Sequence, residues 1–223
     1  MADAAPDLIV VGAGGFGRET VELVKALQAS GHDIHLRGIC DDDPELEGIE
    51  ILGVPVLGPV AAVADHPDAQ LVVTIGNPSN YTSRKRIVAQ LAFGPDRYAT
   101  LIHPTAIVPA SATVGAGSIL HAYSVLTADV AVGSHVVMMP AVVLTHDDRI
   151  ADFVTFGAGA RLAGAVTIDE GAYIGSGASI REEVTVGAWS LVGMGSVVTR
   201  NIPPRQVWAG SPARYVRAAA PTR

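Results

Sequence analysis

From Ile102 onward an apolar residue falls at every sixth position: Ile102, Val108, Val114, Leu120, Leu126, Val132, Met138, Leu144, Ile150, Phe156, Leu162, Ile168, Ile174, Ile180, Val186, Val192 and Val198. Seventeen such steps in a chain that is 49% hydrophobic arise by chance on the order of 10⁻⁵ of the time in a given register, so the segment is an internal repeat. Four residues after each step the position is Ala, Ser or Val in fifteen cases, the exceptions being Asp148 and Ile202. A period of six matches neither the 3.6 of a helix nor the alternation of a two-sided strand, but it suits a short strand followed by a corner. Three units then close a triangular coil of eighteen residues. Pairs such as Ala116-Gly117, Ser134-His135, Gly164-Ala165 and Ser176-Gly177 supply the corners. Coils stacked at the parallel-strand spacing of about 4.8 Å bury each large apolar residue on that of the next coil.

The amino-terminal part has a different pattern. Leu8 to Val11 reads as a buried strand, Gly12-Ala13-Gly14-Gly15-Phe16-Gly17 as a turn, and residues 18–27 as a helix. A second strand, Leu36 to Cys40, runs into Asp41-Asp42-Asp43. A third, Leu71 to Ile75, runs into Gly76-Asn77-Pro78, and a helix follows from about 79 to 91. This order predicts a parallel sheet with three strand ends on one edge. Gly12 and Gly14 admit close approach of a ligand to the backbone, and the helix N-terminus favours a phosphate. The acidic run offers a carboxylate to a ribose or a base. A bare tight turn is the alternative reading of the glycines. Lys25, Arg84, Lys85 and Arg86 read as solvated helix faces.

The length of 223 residues divides into an α/β domain over 1–99, a β-helix over 100–202 and a closing segment over 203–223. The first is too short for both halves of a dinucleotide fold, so a single nucleotide is expected. Aromatic residues make up only 5% of the chain, in keeping with a prism too narrow to hold them. A net charge of −7 disfavours nucleic acid and anionic lipid as partners. A lone cysteine, Cys40, excludes an internal disulfide and a multi-cysteine metal site. With no basic segment before Leu8 and no run of about 20 apolar residues, no signal peptide and no membrane span are expected, and a cytoplasmic location follows.

The hexapeptides, together with the tail Trp208-Ala209-Gly210-Ser211-Pro212-Ala213-Arg214, resemble the left-handed β-helix acyltransferases. The left hand comes from the resemblance alone, since the general preference of parallel crossovers is right-handed. With a small Rossmann-like α/β domain in front, the chain is similar, from about residue 7 to 217, to bacterial sugar-nucleotide N-acetyltransferases and sialic-acid-pathway acetyltransferases. The resemblance implies a homotrimer that uses acetyl-CoA; no metal is expected, since no set of His, Asp and Glu has metal-ligand spacing. The resemblance also places Gly14, Gly15, Phe16, Asp41, Asp42 and Gly76 at the nucleotide-sugar, and Thr155, Gly164, Ser176 and Met194 at acetyl-CoA. Thr155 departs from the family's pattern of a histidine, and Met139 from its pattern of an asparagine near the acceptor sugar.

His146 is the candidate base. It lies two places after the inward Leu144, on a corner where side chains project outward, and the resembling family has a His followed by an acid there. An amine attacking a thioester must shed a proton, and an imidazole can accept it, with Asp147 raising its basicity. Asp148 breaks the inward small-residue rule next door, a kind of break that favours function. Gly164, eighteen residues after His146, is read as backbone left open for the thioester. His103 reads as a structural residue of the domain junction, and His121 and His135 as coil-surface residues, with a place lining the subunit cleft as the alternative for either. An O-acyltransferase and a non-catalytic nucleotide-binding trimer stay open as alternatives.

Overall fold

The computed structural model describes residues 7–219. Residues 1–6 and 220–223, assigned above to the first and last segments, lie outside it, as does most of the stretch read for a signal sequence. The chain forms a five-stranded α/β sheet followed by a parallel β-helix.

In the first part, β1 (Asp7–Val11), β2 (His35–Cys40), β3 (Glu50–Ile51), β4 (Val54–Gly58) and β5 (Gln70–Val73) take the order β3-β4-β2-β1-β5. All pairings are parallel except the β3–β4 hairpin. The run Leu8 to Val11 is apolar throughout because β1 is covered on both faces. Helix α1 (Gly15–Ala29) buries Val21, Leu23, Val24 and Leu27, at helical spacing, against the sheet. It begins three residues earlier than its apolar pattern. Helix α2 (Ser83–Leu91) begins later than expected, because Asn77 folds the preceding residues into a turn, accepting from Ser79 N–H at 2.9 Å through its side chain and from Asn80 N–H at 2.8 Å through its carbonyl. Strands β3 and β4 escape the sequence pattern, since Pro55, Gly53 and Gly58 punctuate it like a loop.

The second part is the expected prism. Sixteen two-residue strands run from Leu101–Ile102 to Val197–Val198, and paired positions are eighteen residues apart, as in Ala131↔Arg149 and Val132↔Ile150, or Thr155↔Tyr173 and Phe156↔Ile174. They form three parallel sheets, one per side. The second corner residue is left-handed at fourteen consecutive six-residue steps from Gly117 (φ 72°) to Gly195 (φ 66°), nine of them not glycine. Leu120, Met138, Leu144, Ile168 and Ile174 are wholly buried along the axis. One aromatic does fit, contrary to expectation: Phe156 is fully buried, and the inward residue four places on is only Ala160.

At the far end Gln206–Gly210 pairs in parallel with Leu191–Val192 and then antiparallel with Ala213–Ala218, bringing Trp208 over the core as a lid. The two parts are locked together by α2 and the turn before it. Tyr81 Oη donates to Trp189 O at 2.9 Å, Lys85 pairs with Glu170 at 2.6 Å, and Arg84 reaches the coil backbone. The strand ends of the sheet therefore abut the prism side built from Ile119–Leu120, Val137–Met138, Thr155–Phe156 and Tyr173–Ile174.

Candidate active site

The glycines of the first turn divide into two kinds. A side chain at Gly12 (φ 111°) would meet Ile75 at 2.6 Å and Thr74 at 2.9 Å, and one at Gly17 would strike the Gly12 carbonyl; these two pack the turn. Gly14 and Gly15 have open space where a Cβ would sit. Gly14 is the N-cap of α1 and offers no side chain, so the N–H groups of the first turn keep their capacity for an anion. Asp41 braces this loop, its Oδ2 accepting from Ala13 N–H at 2.7 Å and its Oδ1 from Asp43 N–H at 3.0 Å.

Phe16 and Glu19 of α1, Gly76, Asn77 and Pro78 of the loop after β5, and Met139, Thr155, Gly157, Tyr173 and Ser176 of the prism enclose a cleft of about 340 Å³. Four expected site residues thus meet here: Phe16, Gly76, Thr155 and Ser176. Asp42 does not join them. It accepts from Val60 N–H at 2.9 Å and lines a separate groove beside Ile87 and Phe93. Met194, one coil above Ser176, is 81% exposed.

Arg84 also lines the cleft, and it overturns its reading as a solvated residue. It is 1% exposed, with Nε donating to His135 O at 3.0 Å and Nη2 to Phe153 O at 2.9 Å and to Thr155 Oγ1 at 2.8 Å. Burial brings its guanidinium down to about 10, so it stays charged at neutral pH. The sequence signal was present: Arg84 shares the buried stripe of α2 with Ser83 and Ile87. What hid it was that its acceptors are carbonyls of a distant coil. Thr155 thus helps to hold this cation through its hydroxyl oxygen.

His121 and His135 are likewise buried, at 5% and 6% exposure. His135 stacks on Phe153 at 5.0 Å and meets the edge of Tyr98 at 4.7 Å, while His121 packs against Phe16 at 5.9 Å. Burial pushes both imidazoles down to about 4, so they are neutral packing groups at the junction. His103 accepts from Thr105 N–H at 3.1 Å and caps its own turn, the structural part expected of it.

His146 stands on the corner between the strands Val143–Leu144 and Arg149–Ile150. Asp147, at φ 65°, turns the chain there, and its Oδ2 lies 2.9 Å from His146 Nδ1. The two side chains are 66% and 56% exposed. A Cβ at Gly164 would collide with the imidazole. The space at Gly164 is therefore filled by the His146 ring and is not backbone left open to a thioester. A side chain at Gly164 would push the ring from its place beside the next coil.

In a three-sided prism this vertex is opposite the side that lines the cleft. Within one chain, then, His146, Asp147 and Gly164 form one group, and Phe16, Gly76, Thr155 and Ser176 another. Among the described residues no cluster of His, Cys, Asp and Glu could hold a metal, and no helix is long and apolar enough to cross a membrane.

A prism wound in sixes, headed by a small α/β sheet and bearing a histidine–acid pair on a vertex, has the form of the left-handed β-helix acyltransferases. Residues 7–91 match the PglD N-terminal domain family. The chain is similar over nearly its whole length to the acetyltransferase domain of PglB from Neisseria gonorrhoeae FA1090, with 31% identity, 94% of this chain and 99% of that one covered, and a TM-score of 0.84. A structure of the same domain holds acetyl coenzyme A, with 32% identity, 95% and 100% coverage and a TM-score of 0.82. PerB from Caulobacter crescentus, in complex with CoA and GDP-perosamine, is 29% identical over 94% of this chain and 97% of its own, with a TM-score of 0.81. UDP-N-acetylbacillosamine N-acetyltransferase of Bacillus subtilis (strain 168) is 37% identical over 117 residues, 51% of this chain; the match spans half of that relative's length. The chain belongs to the family of left-handed β-helix acetyltransferases that carry a PglD-type N-terminal domain.

Proposed function

We propose that this protein transfers the acetyl group of acetyl-CoA to the amino group of a nucleotide-linked deoxyamino sugar. The observation that carries the reading is the His146 vertex, where Asp147 engages Nδ1 and leaves Nε2, over Gly164, to take a proton. The acceptor amine attacks the thioester carbonyl carbon and gives up a proton to Nε2. The tetrahedral intermediate collapses, the carbon–sulfur bond breaks, and the imidazolium returns the proton to the departing thiolate. Direct transfer fits the chain better than a covalent relay, because Cys40 is buried in the α/β sheet and its thiol is pushed up to about 11 by burial.

The open glycines 14 and 15, the first turn of α1 and Arg84 suit the anionic, nucleotide end of the acceptor. The ligands held by PerB, CoA and GDP-perosamine, are of the same two classes. Because the His146 vertex points away from the cleft of its own chain, a complete site takes the vertex of a second copy, in keeping with a homotrimer. Replacing His146 by Ala should lower turnover by roughly 10²–10⁴-fold at saturating substrates, read as release of CoA thiol. Near-normal turnover would remove the base. A panel of amino- and hydroxy-sugar nucleotides separates N- from O-transfer, since an N-transferase ignores acceptors lacking the amine.

A further inference from the structure

Asp148 occupies an inward slot that the other coils fill with Ala, Ser, Val or Ile, and it is fully buried. The coils show what a small polar residue does in that slot. Ser118 Oγ accepts from Val136 N–H, eighteen residues on, at 2.9 Å. Ser190 and Ser196 likewise accept from the chain above, from Gln206 N–H and Gly210 N–H at 3.1 Å each. Asp148 makes the equivalent bond, its Oδ1 accepting from Val166 N–H at 2.9 Å. It then does something no serine there can do: its second oxygen turns back and accepts from Thr145 N–H at 2.8 Å.

Those two amides flank the catalytic group. Thr145 is the residue before His146, and Val166 lies two places after Gly164, the floor under the His146 ring. A single carboxylate thus ties the stem of the His146 turn to the coil on which the imidazole rests. We propose that Asp148 is a positioning residue, holding the His146 turn in register with the Gly164 floor through Thr145; this rests on the reading of His146 as the base. Burial raises the Asp148 carboxyl to about 6, against the pull of the two amides, His146 and Arg149, so at neutral pH the prism carries a costly ionised group where a serine would serve the stack. A stacking role alone does not account for that choice.

The test is Asp148→Ser, which keeps an acceptor for Val166 N–H and loses the one for Thr145 N–H. Expected are a melting temperature at neutral pH no lower than the parent's, KM values for both substrates within about twofold of the parent, and kcat lower by roughly 10²-fold, the scale of a base displaced by about 1 Å. Adding Asp148→Ser to His146→Ala should then lower kcat no further, since the two act as one unit. An unchanged kcat in the folded serine variant overturns the proposal, and so does a full additional loss in the double variant. If the serine variant does not fold, Asp148→Asn carries the same test: one carbonyl oxygen serves one amide, and an unchanged kcat again overturns it. Full activity of His146→Ala alone sinks the base itself, a different outcome from activity that depends on His146 but not on Asp148.

Discussion

At the scale of single residues, the site depends on small choices whose reasons lie in neighbouring backbone. Asp148 also makes a stability prediction. Its carboxyl is raised by burial from 3.8 to about 6, so the neutral form is the one the fold favours. The contribution is fully present below about pH 4 and is lost as pH rises through 6. Relative to Asp148→Ser, the parent should lose about 2 kcal/mol of unfolding free energy between pH 4 and pH 7, from the shift of roughly two units. Denaturant unfolding of both proteins at the two pH values checks this, and a constant difference contradicts it. His146 was legible from the sequence because its place depends only on counting from Leu144. Arg84, His121 and His135 were not, because each is buried by the docking of one part on the other, and no local period records that contact.

At the scale of an element, the coil works as a ring and its floor. The imidazole of His146 occupies the space that a side chain at its floor would fill, and the eighteen-residue register is what places Gly164 there. Gly164→Ala should therefore displace the ring. Gly164 lies outside the left-handed corner positions, so its backbone tolerates alanine and the melting temperature should change little, while kcat falls by about 10-fold or more. Equal kcat with equal stability would show that the ring does not rest there in the working enzyme. The coils as a whole were readable because each strand is two residues long and its apolar residue faces the axis without alternatives. Strand β4 was not readable, since Val54-Pro55-Val56-Leu57-Gly58 carries both a proline and a glycine and draws its stability from pairing with β2.

At the scale of the whole molecule, the cleft and the His146 vertex are separated by the thickness of the prism. If neighbouring copies complete one another's sites, two inactive proteins can restore activity together. A His146→Ala chain mixed and reassembled with a chain whose cleft is blocked by Gly76→Trp should recover a substantial fraction of turnover. Each parent alone should remain near background, and sedimentation should report three chains per particle. No recovery in mixed assemblies would confine the site to one chain. The pairing of an α/β head with a β-helix was legible from the break in hydrophobic period near residue 100. The way α2 docks the head onto one side of the prism was not, because it rests on Tyr81, Arg84 and Lys85, residues whose composition reads as surface.

The eighteen-residue pairing of the strands from Leu101–Ile102 to Val197–Val198 turns position in the chain into an angular address. Losing one whole storey, eighteen residues, would shorten the tower by about 4.8 Å and leave every remaining side chain pointing in its old compass direction. Losing a single hexapeptide would swing everything beyond it through a third of a revolution, carrying a side chain from one vertex of the prism to another. Evolution of this scaffold is thus free to trim or add height in whole storeys, but nearly forbidden from doing so in thirds.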